Sequence, residues 1–307
     1  MWNNKGFQVL LSVYNAEGFI KRCFDSLNHS LKNEDWILLI GNDNSTDNTI
    51  LEIMEYMPQS SAKKVHVFDY PKALTVGEAK NRVIKEAHNF KDKYPAILMM
   101  DADDEMTPER PKMIETAIKE QNPYVVGAWH RYKRDLSQCS GWKKQSSRTA
   151  STAAKNLQFG PWATLFHCDF LPPNGEFFPE DEVNNCGYED LLTWHYLETF
   201  NKKTPTAHTS DAPVHFYYIH EESVSNGIDQ NKVTLQRNTY WALLNMIKEY
   251  KLDIFSAPPS EQEVINAIAR FIVEKKRQKH QRRSSTNKSL VVPVHPLDQI
   301  DLFKPKK

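Results

Sequence analysis

Short apolar runs and amphipathic stretches alternate through residues 1–130, and this alternation constrains the fold more than any other feature of the sequence. Gln8 to Val13 reads as a buried strand. Glu17 to Leu31 reads as a helix with Phe19, Ile20, Cys23, Phe24 and Leu27 on one face, and Trp36 to Ile40 as a second strand. Thr49 to Met57 follows as a helix, with Thr49 and Glu52 spaced as a capping box. Val65 to Phe68 reads as strand, Glu78 to His88 as helix and Ala96 to Met100 as strand. Thr107 and Pro108 are expected to open another helix, as N-cap and first residue, ahead of a strand at Tyr124 to Trp129. Strands joined through helices require crossover connections, so the expected fold class is α/β, a Rossmann-like, mostly parallel sheet flanked by helices.

In such a sheet ligands gather beyond the carboxyl ends of the strands. That rule brings the loops at Tyr14-Asn15, Asn42-Asp43-Asn44 and Asp101-Ala102-Asp103-Asp104 into one crevice. A buried strand that ends in three carboxylates needs solvent or a cation to balance them. If the chain stays extended, Asp101 and Asp103 point the same way. Two carboxylates, with phosphate oxygens and waters, suit an octahedral Mg²⁺ or Mn²⁺, which would neutralise charge on a departing diphosphate. The same stretch also reads as a solvated acidic turn in front of the next helix.

Beyond this region, Ser137 to Asn184 is irregular and rich in Ser, Thr, Gly and aromatics, as binding walls often are. Asn231 to Tyr250 reads as a helix. Pro258-Pro259 breaks the chain, and Ser260 with Glu263 forms a capping box for a last helix with Val264, Ile265, Ile268, Phe271 and Ile272 as an apolar stripe. The expected organisation is a catalytic domain over 1–230, in halves 1–130 and 131–230, and a C-terminal helical appendage over 231–307 with a basic segment and an extended tail. Lys+Arg and Asp+Glu number 39 each, so a global charge argument for nucleic acid fails, and only local patches such as Lys275 to Arg283 remain. Cys23, Cys139, Cys168 and Cys186 have neither zinc-site nor disulfide-framework spacing and read as reduced thiols. No apolar leader is seen and no window approaches the ~18 apolar residues of a membrane span, so a cytoplasmic location is expected.

Four motifs then stand in a recognisable order: Leu10-Leu11-Ser12-Val13-Tyr14-Asn15-Ala16, Asn42-Asp43-Asn44-Ser45-Thr46-Asp47, Asp101-Ala102-Asp103-Asp104 and Gly187-Tyr188-Glu189-Asp190. Together they resemble the family 2 glycosyltransferases of the GT-A fold. Lesser echoes are Ala79-Lys80-Asn81 and Tyr218-Ile219-His220 leading to Ser223-Val224-Ser225. The resemblance spans residues 7–230. It implies a metal-dependent, inverting transfer of a sugar from a nucleotide-sugar, usually a UDP-sugar, to an acceptor hydroxyl, with Mn²⁺ or Mg²⁺ as cofactor. It implies that Val13, Tyr14 and Asn15 line the nucleoside pocket and that Asp43 accepts a hydrogen bond from the base. Asp101, Ala102 and Asp103 would hold ribose and metal, with Asp103 as first-choice ligand, Asp101 beside it and His220 as a further candidate. Lys80 and Arg82 are candidates for the diphosphate, and Asp190 would be the general base.

Trp162, Glu189, Lys143 and Arg148 are the candidate acceptor contacts. Glu189-Asp190 also reads as acids complementing a helix dipole, and His220 as a packed histidine. The sequence departs from the family pattern at Asn42 for Asp, Asn44 for Gly, Ser12 for Pro and Tyr218 for a basic residue. Asn tolerates the left-handed backbone that Gly would supply, so the turn at Asn44 can survive. The acceptor is expected on a glycan or glycolipid, with peripheral membrane contact open. A hydroxymethylated DNA base is the variant suggested by the basic segments. A nucleotidyltransferase and a non-catalytic nucleotide-sugar-binding protein are the readings from other classes. The former usually carries a Gly-rich basic loop after its first strand, which Ser12-Val13-Tyr14-Asn15 is not.

Overall fold

The computed structural model describes residues 2, 6–127, 131–134, 138–141, 163–172, 174–180, 192–193, 205–208, 210, 212–219, 238–246 and 260–285. The apolar runs form the centre of a sheet: β1 (Phe7–Val13), β2 (Trp36–Asn42), β3 (Lys64–Asp69) and β4 (Ala96–Asp101). All four are mutually parallel, with β1 between β2 and β4 and β3 outside β2. Every residue of β2 is buried, as a strand covered by helices on both faces requires.

The helices supply that cover. In α1 (Ile20–Leu31) the buried residues Ile20, Cys23, Phe24, Leu27 and Leu31 recur at helical spacing. With α2 (Thr49–Tyr56) this helix closes one face of the sheet, while α3 (Val76–Ala87) closes the other through Val83, Ile84 and Ala87. The expected alternation is therefore present, with three local corrections. The capping box expected between Thr49 and Glu52 is not formed. Asp47 accepts from the Thr49 N–H instead, and Glu52 reaches back to the Gly18 N–H. Thr75 caps α3, accepting from the Glu78 N–H at 3.1 Å while Glu78 accepts from the Leu74 N–H at 2.8 Å. Thr107 and Pro108 do not open a helix, because the Thr107 hydroxyl donates to the Pro213 carbonyl and pins the chain there. Residues 108–112 are turns and a bend, and α4 runs over Met113–Glu120.

A further correction concerns residues 137–184, expected to form a wall. Part of that stretch is scaffold. After β5 (Glu105–Met106), β6 (Tyr124–Gly127), β7 (Arg131–Arg134) and β8 (Gln138–Gly141), the strand β9 (Thr164–His167) inserts antiparallel between β4 and β6 and is buried throughout. Adding β10 (Thr206–His208) beyond β6 gives a seven-stranded sheet of order β10-β6-β9-β4-β1-β2-β3. A second sheet has β11 (His215–Ile219) between β5 and β7, with β8 outermost, in the order β5-β11-β7-β8. Residues 238–246 are helical, and the last helix, α5, spans Glu261–Ser285. Its expected capping box is formed: Glu263 accepts from the Ser260 N–H at 2.8 Å, and the Ser260 hydroxyl accepts in return at 3.4 Å. Val264 and Ala267 are buried and Phe271 stacks on Trp241, whereas residues 273–278 are exposed.

Candidate active site

Strand register builds the crevice. Ser12 at the end of β1 lies between Gly41 of β2 and Asp101 of β4, and Val13 lies beside Asn42. The loops after β1 and β2 are laced together. The Asn15 side chain accepts from the Thr46 N–H at 2.8 Å, and the Asn15 N–H donates to the Ser45 hydroxyl at 3.1 Å. Both asparagines at these turns are left-handed, Asn15 with φ 47° and Asn44 with φ 59°. Asn44 thus takes the backbone expected of the glycine it replaces. Asn42, in place of an acid, accepts from the Ser45 N–H and donates to Asp69 of β3, so the departure closes the turn without adding charge.

Asp43 is only 5% exposed, and its carboxylate is held by three donors. Lys72 Nζ is 2.7 Å from one oxygen, and the Ala73 N–H donates to the other at 2.6 Å, where Arg82 also approaches at 3.4 Å. Such a carboxylate is fixed in place, and it keeps lone-pair capacity for one more donor. Tyr14 is 48% exposed at the crevice lip, and Lys72 Nζ lies 3.1 Å from its ring centroid. The sequence reading missed Lys72. It lies in the connection between β3 and α3, where no motif marks it.

Across the crevice, β4 ends at Asp101 and the chain turns, with the Asp104 N–H donating to the Asp101 carbonyl at 3.2 Å. The extended geometry expected for Asp101 and Asp103 is absent; a tight turn presents them instead. Both are partly exposed and Ala102 between them is buried. Lys80 Nζ stands 3.3 Å from Asp101 Oδ1. Helix α3 therefore reaches both halves of the site, through Lys80 to Asp101 and through Arg82 to Asp43, and a recess opens between Ser12, Lys80 and Asp101.

Asp104, grouped with these acids from the sequence, is turned into the core. It is fully buried, accepting from the Tyr218 N–H at 2.9 Å and bonded to the buried His215 Nε2 at 2.8 Å. Burial, then the negative charge of Asp103 and Asp101, pushes its carboxyl well above the ordinary range. Beneath lies Arg110, also fully buried, donating to the Met99 and Thr164 carbonyls. Burial lowers its guanidinium to about 9, although Asp101 and Asp104 oppose the shift.

Hard oxygen donors on two partly exposed carboxylates of one turn fit Mg²⁺ or Mn²⁺. Among the described residues no three His, Cys, Asp or Glu side chains gather to hold a metal unaided, so the remaining positions would fall to phosphate oxygens, water or residues outside the described set. His220, Asp190, Glu189, Trp162, Lys143 and Arg148 lie outside the described residues, as do Trp142, Lys144 and Lys155. Leu192 and Thr193, just after Asp190, are buried and helical, and the Thr193 hydroxyl donates to the Phe177 carbonyl at 3.3 Å.

The sequence pattern of glycosyl transferase family 2 matches residues 8–170, more than half of the 307-residue chain and the segment that carries both walls of this crevice. The chain belongs to glycosyl transferase family 2. It is a glycosyltransferase, which sets aside the nucleotidyltransferase and non-catalytic readings. No curated protein sequence matches it. Among solved structures, this family 2 glycosyltransferase is similar to residues 1–349 of S. aureus TarS in complex with UDP-GlcNAc. The two share 17% identity with a TM-score of 0.59, over 87% of this chain and 71% of that one. The UDP complex of the same TarS fragment aligns at 18% identity and a TM-score of 0.57, over 87% and 70%. The mannosyltransferase PcManGT from Pyrobaculum calidifontis, in complex with GDP-Man and Mn²⁺, aligns at 13% identity and a TM-score of 0.52, over 86% and 69%. At these identities the likeness speaks for the fold, which is GT-A. Among the described residues no helix is long and apolar enough to cross a membrane.

Proposed function

We propose that this glycosyltransferase moves a sugar from a UDP-sugar to an acceptor hydroxyl with inversion, using Mg²⁺ or Mn²⁺. One observation supports the reading: beyond the carboxyl ends of neighbouring strands, α3 pairs Arg82 with the buried carboxylate of Asp43 and Lys80 with the partly exposed carboxylate of Asp101. Asp43 takes the N–H of a uracil-like base while Tyr14 offers its exposed face. Lys80 shifts from Asp101 toward the diphosphate when the donor enters. Asp101 and Asp103 would hold the cation, with His220 as a further candidate ligand. The cation supplies charge neutralisation for the departing diphosphate. The structural neighbours crystallised with UDP-GlcNAc and with GDP-Man and Mn²⁺ support this class of donor and cofactor.

Asp190 accepts the acceptor's hydroxyl proton as its oxygen bonds to the anomeric carbon. The bond from that carbon to the diphosphate breaks on the opposite face, and UDP leaves. Trp162, Glu189, Lys143 and Arg148 are the proposed acceptor contacts, and the acceptor is a glycan or glycolipid. The reading places the enzyme in the cytoplasm, consistent with the free, buried thiols of Cys23 and Cys168. Asp190→Asn is expected to lower kcat by at least about 100-fold while leaving UDP affinity unchanged. Transfer at the wild-type rate would remove Asp190 from this role.

A second acceptor reading, a hydroxymethylated DNA base, is favoured by the cationic turns of α5, where Lys275, Lys276 and Arg277 are exposed. Retention on duplex DNA that falls with salt supports it, and absence of binding at low salt ends it.

A further inference from the structure

The turn that carries Asp101 and Asp103 is held from behind by groups that the proposed reaction does not use. Asp104 anchors it to β11, through the Tyr218 N–H at 2.9 Å and His215 Nε2 at 2.8 Å, with the Asp104 and His215 side chains fully buried. Glu105 accepts from the Tyr218 hydroxyl at 2.6 Å. A further tie comes from α1. Arg22 Nη2 donates to the Asp103 carbonyl at 2.6 Å, its Nε lies 3.6 Å from the Glu105 carboxylate, and its guanidinium carbon sits 3.7 Å from the centroid of the Tyr218 ring. Residues 103, 104 and 105 are therefore each fastened to α1 or β11, by one backbone carbonyl and two carboxylates.

Arg22 is the member of this group with the most specific geometry. A planar guanidinium can lie flat on an aromatic ring and still donate from its edge, which an ammonium cannot do. Its Nη2 bond falls on the backbone of Asp103 itself, so it bears on the direction in which the Asp103 carboxylate leaves the chain.

We infer that Arg22 is a positioning residue that orients the Asp103 carboxylate for the divalent cation and donor diphosphate. This inference rests on the proposed metal-assisted reading. Groups that fix a metal-binding carboxylate from outside govern metal affinity more than nucleoside binding, and their loss typically costs 10- to 100-fold in affinity. The probe is Mn²⁺ itself, with free Mn²⁺ counted by electron paramagnetic resonance in the presence of UDP. Two variants are compared with the wild type. Arg22→Met keeps an unbranched stem against Tyr218 and loses the guanidinium, and Arg22→Lys keeps the charge and loses the planar fork.

In Arg22→Met the affinity for Mn²⁺ is expected to fall by about 10-fold or more, with a smaller fall in Arg22→Lys. UDP binding without metal stays at the wild-type value in both, and high Mn²⁺ restores turnover. A merely structural role would lower the unfolding midpoint and weaken metal-free UDP binding as well. If Arg22→Met does not fold, Arg22→Lys decides on the same readout. Wild-type Mn²⁺ affinity in the folded variants overturns the inference alone. A wild-type protein that binds no Mn²⁺ with UDP overturns the metal reading and this inference with it.

Discussion

Asp43 is singled out by its motif in the sequence, but the way its carboxylate is held is not legible there. Its carboxylate is buried yet balanced by Lys72, Arg82 and the Ala73 N–H, which come from the connection after β3 and from α3. No local pattern links those residues to position 43; only the fold brings them together. A charged hydrogen-bond acceptor contributes about 1.5–3 kcal/mol, so Asp43→Ala is expected to weaken UDP binding by roughly 10- to 150-fold, measured by calorimetry. The neighbouring Asp47 shows the stabilising side of the same loop. Burial opposes its ionisation, but the Thr49 hydroxyl, the Thr49 N–H and the Glu17 N–H outweigh it and hold the carboxyl below the ordinary range. With the folded value depressed, the stabilisation is complete above the unfolded-chain value near ~4 and is lost as pH falls through the folded value. Asp47→Ala is therefore expected to cost about 1–2 kcal/mol at pH 7 in urea unfolding, with the gap to wild type shrinking at pH 3 and below.

At the scale of elements, α3 is the piece on which the site turns, since it delivers Lys80 to one wall and Arg82 to the other. Its seating depends on Gly77, where an added Cβ would meet the Pro179 carbonyl oxygen at 2.2 Å. Backbone cannot yield there as a flexible side chain would. Gly77→Ala is expected to destabilise by about 1–3 kcal/mol in denaturant titration, and to weaken UDP binding because α3 shifts with both of its cations. Most strands and helices of residues 1–127 were readable because each carries its own apolar period; the two-residue β5 and the start of α4 at Met113 were not. Strand β9 was not, because four residues set among aromatics and prolines give too short a period to recognise, and its place between β4 and β6 is decided by the sheet. The acidic turn was half readable. Asp101 lines the recess beside Lys80, but Asp104 is drawn into the core by His215, a partner 111 residues away.

For the molecule as a whole, a net charge of zero conceals an uneven distribution. Lys275, Lys276 and Arg277 are exposed on the part of α5 that follows its packed first turns. Replacing all three with Glu is expected to change stability by less than about 1 kcal/mol, because exposed charges contribute little. If the DNA-acceptor reading holds, the same replacement abolishes retention on DNA. A parallel sheet with β1 between β2 and β4 puts the ends of those strands together, and the segment that matches glycosyl transferase family 2 carries that edge. The central claim is that Asp101 and Asp103 serve a divalent cation that helps hold a nucleoside diphosphate. Calorimetric titration of UDP into wild type and Asp103→Asn, each with and without Mn²⁺, tests it most directly. The account predicts that Mn²⁺ tightens UDP binding by about 10-fold or more in the wild type and has no such effect in Asp103→Asn. UDP binding that is indifferent to Mn²⁺ in the wild type, or equally Mn²⁺-dependent in both proteins, would contradict it.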